Sequence, residues 1–254
     1  MNSDLKTAQE LISKSGNTFH SKVVQYLQEQ GWTVLISPYY TDNITNKPRE
    51  IDIIAEKAFE SHNKFVNVQL FLECKYIQGV NVFWFHKKDD FKARSLVAKQ
   101  LNLRRNNTYI EKFHYMDVHE KAAKLFASQK GKSIENEPFF KAINQILNAY
   151  LYFRTGKTII QSEKAQNPHI DKFLHFPVII CSSFEKLFKT EMGQEGVPQK
   201  IAENFLLEVH YAYVNASRLS QTEYFLIDIV EYDQLEVFLE KIKRDAETTA
   251  FLMS

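Results

Sequence analysis

Two apolar, β-branched runs separated by a short polar stretch constrain this chain more than any other part of it. The first is Arg49-Glu50-Ile51-Asp52-Ile53-Ile54-Ala55; the second runs from Val66 to Leu72 and continues into Glu73-Cys74-Lys75-Tyr76. Branched and aromatic side chains at this density favour strands, and the polar run from Lys57 to Lys64 predicts a hairpin-type loop. Side chains of a strand alternate between its faces, so Glu50 and Asp52 share one side, as do Glu73 and Lys75, while Leu70, Leu72 and Cys74 turn towards a core. Antiparallel pairing then sets Asp52, Glu73 and Lys75 on one side of a sheet.

Two carboxylates held close together repel, and a hard divalent cation with oxygen ligands relieves that repulsion, Mg²⁺ first among them. A lysine beside them can hold a phosphate or an attacking water. Such a set suits metal-assisted hydrolysis of a phosphodiester. The plainer account of the same residues is a solvated strand face, since Glu-x-Lys is frequent on amphipathic strands.

Upstream lie Gly16-Asn17-Thr18-Phe19-His20 and a Gly31-Trp32 turn. In this order the residues resemble the PD-(D/E)XK nuclease superfamily. Asp52 fits its first acidic position and Glu73-Cys74-Lys75 its Glu-x-Lys, with Ile51 where the family's proline would stand. The Gly16 to His20 string is similar to the Gly-x-x-x-His element of RecB-type exonucleases. The resemblance implies a restriction-endonuclease-like α/β fold, a mixed central sheet flanked by helices. It implies a Mg²⁺ ion, replaceable by Mn²⁺, held by Asp52, Glu73 and the backbone carbonyl of Cys74, with His20 completing the shell. Lys75 would orient the attacking water or stabilise charge on the phosphate. The activity implied is a DNA nuclease leaving 5′-phosphate and 3′-hydroxyl ends, with restriction or phage defence as its setting. Gln145-Ile146-Leu147-Asn148-Ala149-Tyr150 is similar to the Gln-x-x-x-Tyr helix of RecB-type nucleases but one residue longer, which turns the two side chains apart. Gln145 is therefore assigned to substrate binding and Tyr150 to the core. Two rival readings stand beside this one: a catalytically inactive nuclease-fold protein that binds nucleic acid or protein, and an RNA-directed nuclease.

At 254 residues, 44% apolar, the chain suits a single domain over 1–254 with a substantial core, and a helical insertion is expected at about 87–170. A formal net charge of +1 confines any nucleic-acid surface to a local patch. Phe83-Trp84-Phe85 followed by His86, Lys87 and Lys88 suggests one, with rings to stack on bases and Lys87 and Lys88 to meet phosphates. DNA is the expected partner and a homodimer a candidate assembly. Cys74 and Cys181 lack any metal-ligand spacing and read as reduced core residues. With neither a signal-like start nor an apolar run of the ~18 residues that a membrane span needs, the expectation is a cytoplasmic protein without a membrane partner.

Helical periodicity predicts helices near Asp4–Lys14, Thr18–Gln30, Asp90–Leu103, Asp117–Gln129, Pro138–Phe153 and Leu235–Lys243. Strands are predicted at Trp32–Ser37, Phe176–Cys181, Phe205–Tyr213 and Tyr224–Tyr232, with a polar loop from Pro38 to Pro48. Three strings imitate known motifs and fail. Gly131-Lys132-Ser133 and Gly156-Lys157-Thr158 have Phe126 and Leu151 where a P-loop needs glycine, and His119-Glu120 has Ala123 where a zinc-protease helix needs its second histidine.

Overall fold

The structure, a computed structural model, describes residues 3–42, 45–117, 120–129, 137–154, 156–160, 169–193, 196–215 and 217–254. His119 and the string 131–133 lie outside them. The first helices are α1 (Ser3–Lys14) and α2 (Asn17–Glu29), and α2 buries Phe19, Val23, Val24 and Leu27 as its spacing predicts. Gly31 ends it at φ +76°, a conformation that costs glycine little, and Trp32 N–H caps the Leu27 carbonyl at 3.0 Å.

The strands β1 (Thr33–Ile36), β4 (Ile53–Ser61) and β5 (Lys64–Lys75) pair antiparallel in the order β1-β4-β5. Between β1 and β4 the expected polar loop contains a separate two-stranded ribbon, β2 (Tyr39–Thr41) with β3 (Pro48–Glu50). The hairpin loop expected over Lys57–Lys64 shrinks to His62 and Asn63, whose φ values of +52° and +56° fit a two-residue type I′ turn. Residues 57–61 extend β4 because each finds a ladder partner on β5, from Lys57↔Val68 to Ser61↔Lys64.

After β5 come β6 (Asn81–Lys87), α3 (Asp90–Leu101), a 3-10 turn (Thr108–Lys112), α4 (His114–Asp117), β7 (Lys121–Ser128) and α5 (Pro138–Phe153). The expectation of a helix over Asp117–Gln129, and with it a purely helical insertion, is corrected here. Lys121–Ser128 is a strand between β6 and the later β11, and its Ala122 and Ala123 are fully buried on opposite faces of the sheet. Packing between neighbouring strands overrides the helix preference of Lys121-Ala122-Ala123-Lys124.

The chain closes with β8 (Lys172–Cys181), β9 (Leu187–Glu191), β10 (Gln199–Lys200), β11 (Phe205–Val214), β12 (Ser220–Glu231) and α6 (Leu235–Met253). The main sheet runs β1-β4-β5-β8-β12-β11-β7-β6-β9-β10, a mixed sheet in which β8 lies parallel to both β5 and β12. Alternation along β5 divides the core in two. Val68, Leu70 and Leu72 pack with α2, α3 and α6 on one face; Phe71 packs with α5 on the other. Among the described residues no helix is long and apolar enough to cross a membrane.

Candidate functional site

Asp52 sits in the break between β3 and β4, one step beyond the last β4–β5 ladder pair, Ile53↔Leu72, and therefore beside Glu73. The two acids meet through their strands. Asp52 N–H donates to Glu73 Oε1 at 3.3 Å, and Asp52 Oδ2 accepts Cys74 N–H at 2.8 Å. Lys75 Nζ donates to Glu73 Oε2 at 2.8 Å, and Glu73 is only 1% exposed. Two carboxylates and an ammonium thus converge at the C-terminal end of β5, on the face that carries α5, although the run expected as one strand from Arg49 to Ala55 is broken at Ile51 and Asp52, with Arg49 and Glu50 in the separate ribbon.

Burial, assisted by Asp52 and opposed by Lys75, pushes the Glu73 carboxyl up to about 7. Burial alone would depress the Lys75 ammonium, but the Glu73 charge and hydrogen bond reverse the balance and its pKa rises. The pair is mutually stabilised in the ionised form and costly to separate. Tyr40, on β2, is also raised, first by burial and then by the charges of Asp42 and Glu73, which places its hydroxyl within electrostatic reach of the acids.

His20, from α2, brings Nε2 to 3.1 Å from the backbone carbonyl of Asp52. It stands at the site and braces the turn that carries Asp52. Cys74 contributes its N–H, while its side chain packs against the core beneath α2 and α6. Gln145, from α5, donates Nε2 to the Glu50 carbonyl at 3.0 Å and so reaches the same turn from the opposite face. Tyr150 is buried against Phe71, Phe225 and His175.

The assignment of Lys87 and Lys88 to this site is corrected by the topology. Lys87 ends β6 and Lys88 follows it, five strands along the sheet from β5. Lys88 is 3% exposed and donates Nζ to the Tyr115 carbonyl at 2.7 Å, and burial lowers its pKa. Of the aromatic run, Phe83 and Phe85 are core residues packed on Phe205 rather than a stacking surface.

Among the described residues no three His, Cys, Asp or Glu side chains gather as a metal cage. The donor set is instead two carboxylates. That fits Mg²⁺, which is commonly held through one or two carboxylates while keeping several waters. A cation that demands a full set of protein ligands would not be satisfied here. Compared with protein-family models, with curated proteins and with solved structures, the chain matches none.

Sequence reasoning missed Tyr40, Asp42 and Asn148, which line a cavity of about 350 Å³ next to the site with Arg49 and Gln145. Asn148 lay inside the Gln145 to Tyr150 string, but only the folded turn of α5 shows that it borders this space.

Proposed function

We propose that the chain is a metal-dependent nuclease of the PD-(D/E)XK type acting on DNA. One observation carries this: Asp52, Glu73 and Lys75, separate in sequence, converge at the adjoining ends of β4 and β5. The order α2, β1, β4, β5, α5, β8, with β1-β4-β5 antiparallel and β8 parallel to β5, supports the same reading. The resemblance to restriction-endonuclease-like proteins implies a mixed central sheet flanked by helices, and this sheet is mixed and flanked by helices.

In this reading Asp52 and Glu73 hold a Mg²⁺ ion, which when bound supplies Lewis acidity towards a phosphoryl oxygen and a water of lowered pKa. The protein's share is to place charge. Glu73 must be ionised to serve; burial opposes that form and the ammonium of Lys75 favours it, leaving the carboxyl at about 7. Lys75 itself is 17% exposed at the side chain and is the cation that a phosphate or attacking water meets. Asp52 is fixed by Cys74 N–H, so its second oxygen has a set direction. His20 braces the Asp52 turn from α2, and Gln145 braces the Glu50 carbonyl, two residues before Asp52, from α5.

Incubation of the chain with linear and plasmid DNA in Mg²⁺ or Mn²⁺, beside Lys75→Ala, tests the proposal. Cleavage by the parent and its loss in the variant are expected. Intact DNA with both metals, and a variant indistinguishable from the parent, would leave a nuclease-fold binding module in its place. Single-stranded RNA of matched sequence in the same assay separates DNA from RNA as the substrate.

A further inference from the structure

Another cavity, of about 450 Å³, opens where β8 begins, between the ends of α3 and α5. Lys99 reaches it from α3, Arg154 from the residue after α5, Asp171 and Lys172 from the start of β8, and Glu223 from β12. Strand β8 runs parallel to β5, with Lys172 opposite Val66 and Cys181 opposite Lys75. At about 3.3 Å per residue, Lys172 therefore stands roughly 30 Å along the sheet from the end that carries Lys75.

The charges that line this cavity do not cancel. Glu223 is held at both oxygens: Lys99 Nζ and Arg154 Nη1 donate to Oε1 at 2.6 and 3.1 Å, and Arg154 Nη2 to Oε2 at 3.0 Å. Asp171 is also taken, by Lys64 Nζ at 3.3 Å and by the Phe65 N–H at 2.9 Å. Lys172 is the exception. Among the described residues its side chain has no hydrogen bond or ion pair, and burial lowers its pKa with no acid to offset it. With Lys64 counted against Asp171, four cations meet two carboxylates, so two positive charges remain uncompensated. His175 lines the same space and adds no charge at neutral pH, because burial, then Arg154 and Lys172, hold its pKa down at about 4. A cation drawn partly out of water without a counter-ion is costly, and an anion relieves that cost.

We propose that this cavity binds a small phosphate monoester through its phosphate group, at a site separate from Asp52, Glu73 and Lys75. A phosphate monoester carries about −1.5 to −2 charges near neutral pH, which matches the two uncompensated cations; a carboxylate would leave one of them over. Lys172 is the free ammonium that the phosphate meets. Lys99 gives Glu223 one of its three N–H donors and keeps others for a second phosphate oxygen. The volume lies within the roughly 300–1,000 Å³ of small-ligand sites, more than a phosphate alone needs, and Leu96 and Phe173 offer apolar surface to the organic part of the ester. The proposal goes beyond the nuclease reading and does not depend on it.

Inorganic phosphate, adenosine 5′-monophosphate and adenosine are titrated calorimetrically, at low salt and without metal, against the parent chain, Lys172→Met, Lys172→Arg and Lys75→Met. At least one of the two phosphates is expected to bind the parent, and adenosine to bind about tenfold more weakly or not at all, as loss of a charge-assisted contact predicts. Lys172→Met, which breaks no bond of the folded chain and is checked by its melting curve, should weaken phosphate binding by about tenfold, and Lys172→Arg should restore most of it. Lys75→Met should bind as the parent does. The bound anion offsets Arg154 and Lys172, so the His175 ring followed by NMR should titrate above about 4. The site is overturned if neither phosphate binds the parent, if adenosine binds as tightly as its monophosphate, or if Lys172→Met binds like the parent. Binding that Lys75→Met abolishes, or that leaves His175 unmoved, places the anion elsewhere and overturns it equally.

Discussion

Asp52 and Glu73 each satisfy part of the other's strand: Glu73 Oε1 accepts the backbone N–H of Asp52, while Asp52 Oδ2 accepts that of Cys74, the residue after Glu73. The same two carboxylates that suit a cation are thus also cross-strand clamps. A substitution can remove charge while keeping the clamp, or remove both.

Asp52→Asn keeps an oxygen for Cys74 N–H, so its stability should stay within about 1 kcal/mol of the parent, while Asp52→Ala orphans that donor at a cost of about 1–3 kcal/mol. Both should lose metal-stimulated cleavage. Urea denaturation beside a cleavage assay checks the pair. Parent-like cleavage by the asparagine variant would remove Asp52 from the chemistry.

Lys75→Met leaves Glu73 buried without its cation, and the penalty should depend on pH. The folded-state pKa of Glu73, about 7, lies above that of an ordinary glutamate, so the folded state holds a proton that the unfolded state releases. Stability contributed by this group is present at low pH and lost as pH rises through about 7. Removing Lys75 raises that pKa further. The variant should therefore cost about 3–5 kcal/mol at pH 8, where Glu73 must either stay charged without its cation or take up a proton against the solution pH, and clearly less at pH 5, where Glu73 is neutral. A cost that is equal at both values would show that the ammonium does not hold Glu73 in its ionised form.

The convergence of Asp52, Glu73 and Lys75 was legible in sequence because strand alternation has period two and β4 and β5 form a hairpin whose register sets Asp52 beside Glu73. Lys87 and Lys88 misled because proximity in sequence to Lys75 says nothing once a crossover carries the chain five strands away. The β7 strand was hidden by alanines and lysines, which favour helices until neighbours on both sides supply ladders. Asn148, Asp42 and Tyr40 gave no signal in their spacing; ribbon and helix meet only through tertiary packing.

His114 lies between two buried acids, with Nδ1 at 2.5 Å from Asp245 Oδ2 and Nε2 at 3.3 Å from Asp228 Oδ2. Burial opposes its charge, but the two carboxylates outweigh it and lift its pKa to about 10. Because the folded value exceeds the ordinary 6.5, the stabilisation is fully present below pH 6.5 and lost as pH rises through about 10. Thermal melts from pH 6 to pH 10.5 should show an alkaline decline that His114→Gln flattens. A parallel decline in both proteins would assign it to other groups.

Glu56 is the acid whose role the alternation argument did not suggest. It is 4% exposed, accepts N–H groups from Ile159 at 2.8 Å and Ile160 at 2.9 Å, and also takes the Gln69 amide. Burial raises its pKa, and the hydrogen bonds pull the other way without fully offsetting it. The carboxylate therefore acts as a peg on which residues 156–160 hang against β4 and β5, at the Glu56↔Gln69 rung of their ladder. Glu56→Ala removes the acceptor for two backbone donors and should cost about 2–4 kcal/mol, on the scale of one buried unsatisfied group per donor. Hydrogen exchange at Ile159 and Ile160 should accelerate first, ahead of Leu70 and Leu72. Because the peg's partners are Gln69, Ile159 and Ile160 rather than the acids, DNA cleavage below the variant's melting range should match the parent; a matching loss of activity would mean that the peg and the acids are coupled along β4.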